Sequence, residues 1–90
     1  MMRVYVEFLG EVSKLAGKTA LWIELPEEST LETLFSKIHE IFGREVYQIM
    51  VQKFNNRNLF VFINGISATS MDHKIKNMDK ISFASLAYGG

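Results

Sequence analysis

The chain has 90 residues, 48% of them hydrophobic, and its 10 Lys plus Arg balance 10 Asp plus Glu, leaving no net charge. That length suits one domain with a single small core that needs no metal or disulfide. Balanced charge argues against nucleic acid, whose binders rely on phosphate neutralisation, and the absence of Cys excludes a disulfide scaffold, a thiolate nucleophile and a Cys-ligated metal site.

Residues 3 to 9, "RVYVEFL", alternate, with Val4, Val6 and Phe8 on one face and Arg3, Tyr5, Glu7 and Leu9 on the other. This is the pattern of a half-buried strand. "EVSKLAGK" at 11 to 18 reads as a turn-rich connection closed by Gly17. "TALWIEL" at 19 to 25 alternates again, setting Leu21, Ile23 and Leu25 against Ala20, Trp22 and Glu24. Two strands so close in sequence are expected to pair antiparallel.

Pro26 ends that strand, and a helix follows. Ser29 with Glu32 forms a capping-box pattern, with Thr30 as the rival cap. Leu31, Leu34, Phe35, Ile38, Ile41 and Phe42 make one apolar stripe, and Gly43 stops the helix. Residues 45 to 53 predict a shorter helix with Val46, Ile49 and Met50 inward. "NNRN" at 55 to 58 is a polar turn. "LFVFI" at 59 to 63 is apolar on both faces and suits a central strand, after which Asn64-Gly65 turns the chain. The stretch to Asp79 reads as loop, and "KISFAS" gives the last strand with Ile81 and Phe83 inward.

The order predicts an α+β fold, one mixed sheet packed on one main helix in the ubiquitin-like β-grasp arrangement. Residues 1–84 would form the domain and residues 85–90 a flexible tail ending in Gly89-Gly90. No apolar run approaches the roughly 20 residues of a membrane helix, and no signal-peptide core opens the chain. A cytoplasmic protein without a membrane partner is expected.

Conventional catalytic chemistry is hard to assemble. His39 and His73 have no third ligand motif near them, and Glu27-Glu28 suit the positive end of the helix that follows. "HKIKNMDK" at 73 to 80 reads as a solvated loop, and no phosphate-binding glycine motif or nucleophile elbow occurs. The sheet face opposite the helix carries more large side chains than scattered surface hydrophobes require: Tyr5, Leu9, Trp22, Phe60 and Phe62. Either residues 44 to 58 fold over part of it, or it is a docking surface for another protein. From Ser85 to Gly90 the chain can reach about 20 Å. Glycines without a Cβ could pass a narrow slot and present a terminal carboxylate to a partner that activates it with ATP.

These residues resemble the β-grasp sulfur carriers, the family that includes the small subunit of molybdopterin synthase. The likeness covers nearly the whole chain: "KLAGK" (14 to 18), "LPEESTLETLFSKI" (25 to 38), "INGI" (63 to 66), "MDKISF" (78 to 83) and Gly89-Gly90. The resemblance implies that Gly90 is adenylated by a ubiquitin-activating-type enzyme using ATP and then thiocarboxylated. It implies no bound cofactor and no catalysis by the chain itself. The tail, with Ala87, Tyr88 and Gly89 giving passage, would insert into the large synthase subunit, where sulfur passes to a pterin precursor. Leu9 and Phe60 match partner-contact positions, and Trp22, Phe62, Ala84 and Leu86 join them as expected contacts. Three departures stand out. Met78-Asp79 replaces a common Gly-Asp, and Ala84, Ser85 and Leu86 replace a Phe and two prolines. The ending "FASLAYGG" leans toward the ubiquitin-related modifiers of tRNA thiolation and protein conjugation, which is the alternative reading.

Overall fold

A computed structural model describes residues 1–85. Its elements are β1 (Met2–Leu9), α1 (Glu11–Ala16), β2 (Ala20–Leu25), α2 (Leu31–Phe42), α3 (Arg44–Asn55), β3 (Leu59–Ile63), β4 (Ile66–Ala68) and β5 (Lys80–Ser85). They form one five-stranded sheet in the order β2-β1-β5-β3-β4. β1 pairs antiparallel with β2 as expected, and parallel with β5. The remaining pairs, β5 with β3 and β3 with β4, are antiparallel.

The alternation in β1 becomes burial: Val4 and Val6 are inaccessible and Phe8 nearly so. From β5, Ile81 and Phe83 enter the same core. The Phe83 ring stacks on Phe8 at 5.9 Å and meets Phe35 of α2 edge-on at 5.6 Å. β3 is an inner strand between β5 and β4, as the sequence suggested, and the middle strand of the five is β5. Two apolar faces on β3 mark an exposed aromatic surface rather than burial on both sides.

Three local expectations are corrected. The connection after β1 contains a helix, α1, anchored by buried Val12 and closed by Gly17 at φ 72, whose N–H donates to the Ser13 carbonyl at 2.8 Å. The cap of α2 is Thr30 and not Ser29. The Thr30 N–H donates to Thr33 Oγ1 at 3.1 Å. Ser29 is buried, and its hydroxyl donates to the Pro26 carbonyl at 2.6 Å, so it is already committed elsewhere. The stretch read as loop contains β4, joined to β3 through Asn64 and Gly65, both at positive φ as a tight hairpin turn requires. The rest of that stretch serves α2: the carbonyls of His73 and Met71 accept from the Leu31 and Glu32 N–H groups at 2.9 and 3.0 Å. Those are donors that a helix start otherwise leaves unsatisfied.

The second helix runs longer than residues 45 to 53 and buries a slightly different face. Met50 is inaccessible, and Val46, Tyr47, Val51 and Phe54 pack against the core, while Ile49 is only half-buried. Tyr47 stacks on His39 at 4.7 Å, and Phe54 meets Phe35 at 5.6 Å. α3 therefore lies on the same side of the sheet as α2, and residues 44 to 58 do not close the opposite face. In the α2 stripe only Ile41 is exposed.

Met78 occupies the left-handed region at φ 69, where a side chain costs about 1–2 kcal/mol and glycine nothing. The turn is held by the Asp79 carboxylate, which accepts from Asn64 Nδ2 and the Lys76 N–H, each at 2.8 Å. With the side chain of Met78 mostly exposed, Met78→Gly should stabilise the fold by about 1 kcal/mol. A higher urea midpoint at unchanged slope would show it; a lower midpoint would mean that the Met side chain contributes more than the strain removes.

Candidate functional site

The open face is composed of the out-facing residues of the five strands, and their registers fix the neighbours. At the end of the sheet where β5 finishes, Leu9 of β1 lies opposite Ala84 of β5, and Ala84 lies opposite Phe60 of β3. Leu9 is 44% and Phe60 40% exposed, with half-buried Ala84 between them. Phe62, half-buried, follows two residues along β3, beside Ser82. Ala84 is the small residue in this row, set between two large ones.

Trp22 belongs to a different patch. It pairs with Tyr5 across β1 and β2, their rings 5.1 Å apart, and the Arg3 guanidinium sits 4.5 Å over its ring. Tyr5 is four residues from Leu9 along β1, about 13 Å at strand rise. Between the patches runs a polar band, in which Glu7 accepts from Ser82 Oγ at 3.1 Å and pairs with Lys80 Nζ at 3.5 Å. The five large side chains that the sequence placed on one face are thus two surfaces. Alternation identifies a face, but only strand order shows which residues on it are neighbours.

The row Leu9–Ala84–Phe60 lies one residue before Ser85, the last residue described. Leu86, Ala87, Tyr88, Gly89 and Gly90, all expected to act in the tail, lie outside the described residues. His39 and His73 do not meet: one stacks on Tyr47, and the other lies in the loop whose carbonyl accepts from the start of α2. Among the described residues no three His, Asp or Glu side chains gather as metal ligands would. No described helix is long and apolar enough to cross a membrane.

No protein-family model matches the chain, and no curated protein does either. Solved structures do. The putative molybdopterin converting factor subunit 1 of Pyrococcus furiosus superimposes with a TM-score of 0.73 at 21% identity, over 94% of this chain and 98% of that one. The small archaeal modifier protein 1 of Methanosarcina acetivorans gives 0.76 at 15%, over 100% and 98%. This is the ubiquitin-like β-grasp fold. A third structure, the Helicobacter pylori complex of subunits 1 and 2 of molybdopterin-converting factor, matches at 0.67 and 19%, over 99% of this chain and 100% of that one. At these identities the likeness is one of fold, and it confirms the mixed sheet and helix arrangement that element order predicts. A β-grasp sheet here carries its two exposed apolar patches on the face away from α2 and α3.

Proposed function

We propose that the chain is a sulfur carrier, a substrate of other enzymes and not itself a catalyst. Gly90 would be its reactive residue. The Gly90 carboxylate attacks the α-phosphorus of ATP and releases pyrophosphate, giving an acyl-adenylate on an activating enzyme of the ubiquitin-activating type. Hydrosulfide from a sulfur donor then attacks the acyl carbon, forms the C–S bond and displaces AMP, leaving a thiocarboxylate and a proton. In the molybdopterin reading, the large synthase subunit takes the tail and passes the sulfur to a pterin precursor.

The observation that carries this reading is the exit of β5. The strand that leads to Gly89-Gly90 leaves the sheet beside Leu9, Ala84 and Phe60, so a partner holding the tail would meet an apolar platform at once. Aromatic residues such as Phe60 are enriched at protein interfaces. The converting-factor structures of the same fold support the synthase partner, since one of them is a complex of subunit 1 with subunit 2. A second reading, a modifier for protein conjugation or tRNA thiolation, draws on Ala84, Ser85 and Tyr88 and on the archaeal modifier structure.

Incubation with ATP, the activating enzyme and a sulfur donor should exchange one oxygen for one sulfur at Gly90, read by intact mass. Addition of the large subunit and precursor should restore the carboxylate. If the thiocarboxylate forms and that subunit cannot discharge it, the modifier reading replaces the molybdopterin one. If none forms, the carrier reading falls.

Facing on β3 gives a separate expectation. Phe60→Asp should weaken partner binding at least tenfold with little loss of stability, because the side chain is 40% exposed. Val61→Ala, at 1% exposure, should cost about 1–3 kcal/mol without that binding defect. Titration and urea unfolding of both variants separate the two, and the reverse pattern would overturn the platform.

A further inference from the structure

We infer that the outer edge of β2 pairs with the same edge of a second copy of this chain, antiparallel, to make a dimer with one continuous sheet. β2 is the first strand in the sheet order, and no described strand pairs with its outer side. On its inner side the Phe8 N–H of β1 donates to the Thr19 carbonyl at 2.8 Å. In the register of that ladder Leu21, Ile23 and Leu25 turn their N–H and C=O groups to β1 as Thr19 does, so Ala20, Trp22 and Glu24 turn theirs outward. Natural sheets commonly blunt such an edge with Lys, Pro or a bulge. Between Ala20 and Leu25 there is no Lys or Pro, and the ladder with β1 runs without a break.

The strand is complementary to itself. With a symmetry axis at Trp22, that residue lies opposite Trp22 of the second copy, and Ala20 lies opposite the second copy's Glu24. Each facing pair of this parity exchanges both of its hydrogen bonds. A shift of two residues either way leaves one of the three without a partner inside β2. The side chains agree with this register. Trp22 is 46% exposed, and aromatic pairs across strands are stabilising. Glu24 is exposed and lies opposite Arg3 on β1, yet the Arg3 guanidinium is turned over the Trp22 ring. Among the described residues Glu24 makes no ion pair, and neither does Lys18, exposed just before β2. Antiparallel pairing brings Lys18 of each copy diagonally toward Glu24 of the other, within the span of a long side chain. The two Glu24 carboxylates are meanwhile kept apart, each facing a small Ala20. None of Leu9, Ala84 and Phe60 belongs to β2, so dimerisation does not depend on the carrier reading.

Sedimentation equilibrium of the full chain, from micromolar to millimolar concentration, should show a monomer–dimer equilibrium. In ¹⁵N-labelled protein the Ala20, Trp22 and Glu24 amides should shift on dilution, and the emission of Trp22, the single Trp, should change with the same midpoint. Lys18→Glu and Glu24→Lys each turn an attraction into a repulsion and should weaken the dimer about fivefold at low salt. The double variant should restore wild-type affinity, which a general loss of edge stability would not allow. Both side chains are exposed, so the urea midpoint of the monomer should stay where it is in every variant. A chain that remains monomeric at millimolar concentration would overturn the proposal. So would dilution shifts confined to the Leu9, Ala84 and Phe60 amides, single variants as tight as wild type, or a double variant as weak as the singles.

Discussion

Phe83→Ala should destabilise the protein by about 3–5 kcal/mol, the range for a large aromatic removed from a core. The residue is fully buried on the middle strand, stacked on Phe8 of β1 and edge-on to Phe35 of α2. Its loss would open a cavity between the parallel ladder and the helix layer. Domains of this size have about 5–15 kcal/mol of stability in all. The variant should therefore melt more than about 10 °C lower. Urea unfolding checks the value, and a cost below about 1.5 kcal/mol would show that the core is not organised around this ring.

Deletion of Gly90 should abolish adenylation and leave the unfolding midpoint unchanged. The shortened chain still ends in a glycine carboxylate, but that group is withdrawn by about 3.5 Å. A misplacement of about 1 Å can already cost a hundredfold in rate. Gly89→Val should act similarly by filling the passage with a branched side chain. ATP–pyrophosphate exchange with the activating enzyme measures both variants. Normal exchange by the deletion variant would remove Gly90 from the chemistry. Loss of cooperative unfolding would instead assign the two glycines a structural role.

What could be read from the sequence followed from periodicity and turn chemistry. Val4, Val6 and Phe8 alternate because one face of β1 is dry and the other wet, and the α2 stripe repeats for the same reason at helical spacing. Asn64-Gly65 was legible because few other pairs tolerate positive φ twice. Six-residue α1 escaped because less than two turns show no period, and three-residue β4 because its pattern is too short to differ from loop. Strand order could not be read either, since nothing within β5 states that it will lie between β1 and β3. The candidate site shows the same division. Leu9 and Phe60 could be assigned to the open face from alternation, but their meeting across Ala84 depends on a parallel pairing far apart in sequence.

That same parallel pairing has a consequence for how the protein is made. β1 is synthesised first and β5 last, yet β5 must slot between β1 and β3 before the sheet is whole. During translation the early hairpin of β1 and β2 and the two longer helices can gather locally, but one edge of β1 stays open until residues 80 to 85 exist. Contacts so distant in sequence slow folding, and an open strand edge invites mispairing while it waits. A nascent or prematurely terminated chain thus lacks the platform as well as the tail, since Leu9, Ala84 and Phe60 become neighbours only in the finished sheet. An activating enzyme that grips that row would engage only folded chains, and fragments would never enter the reaction.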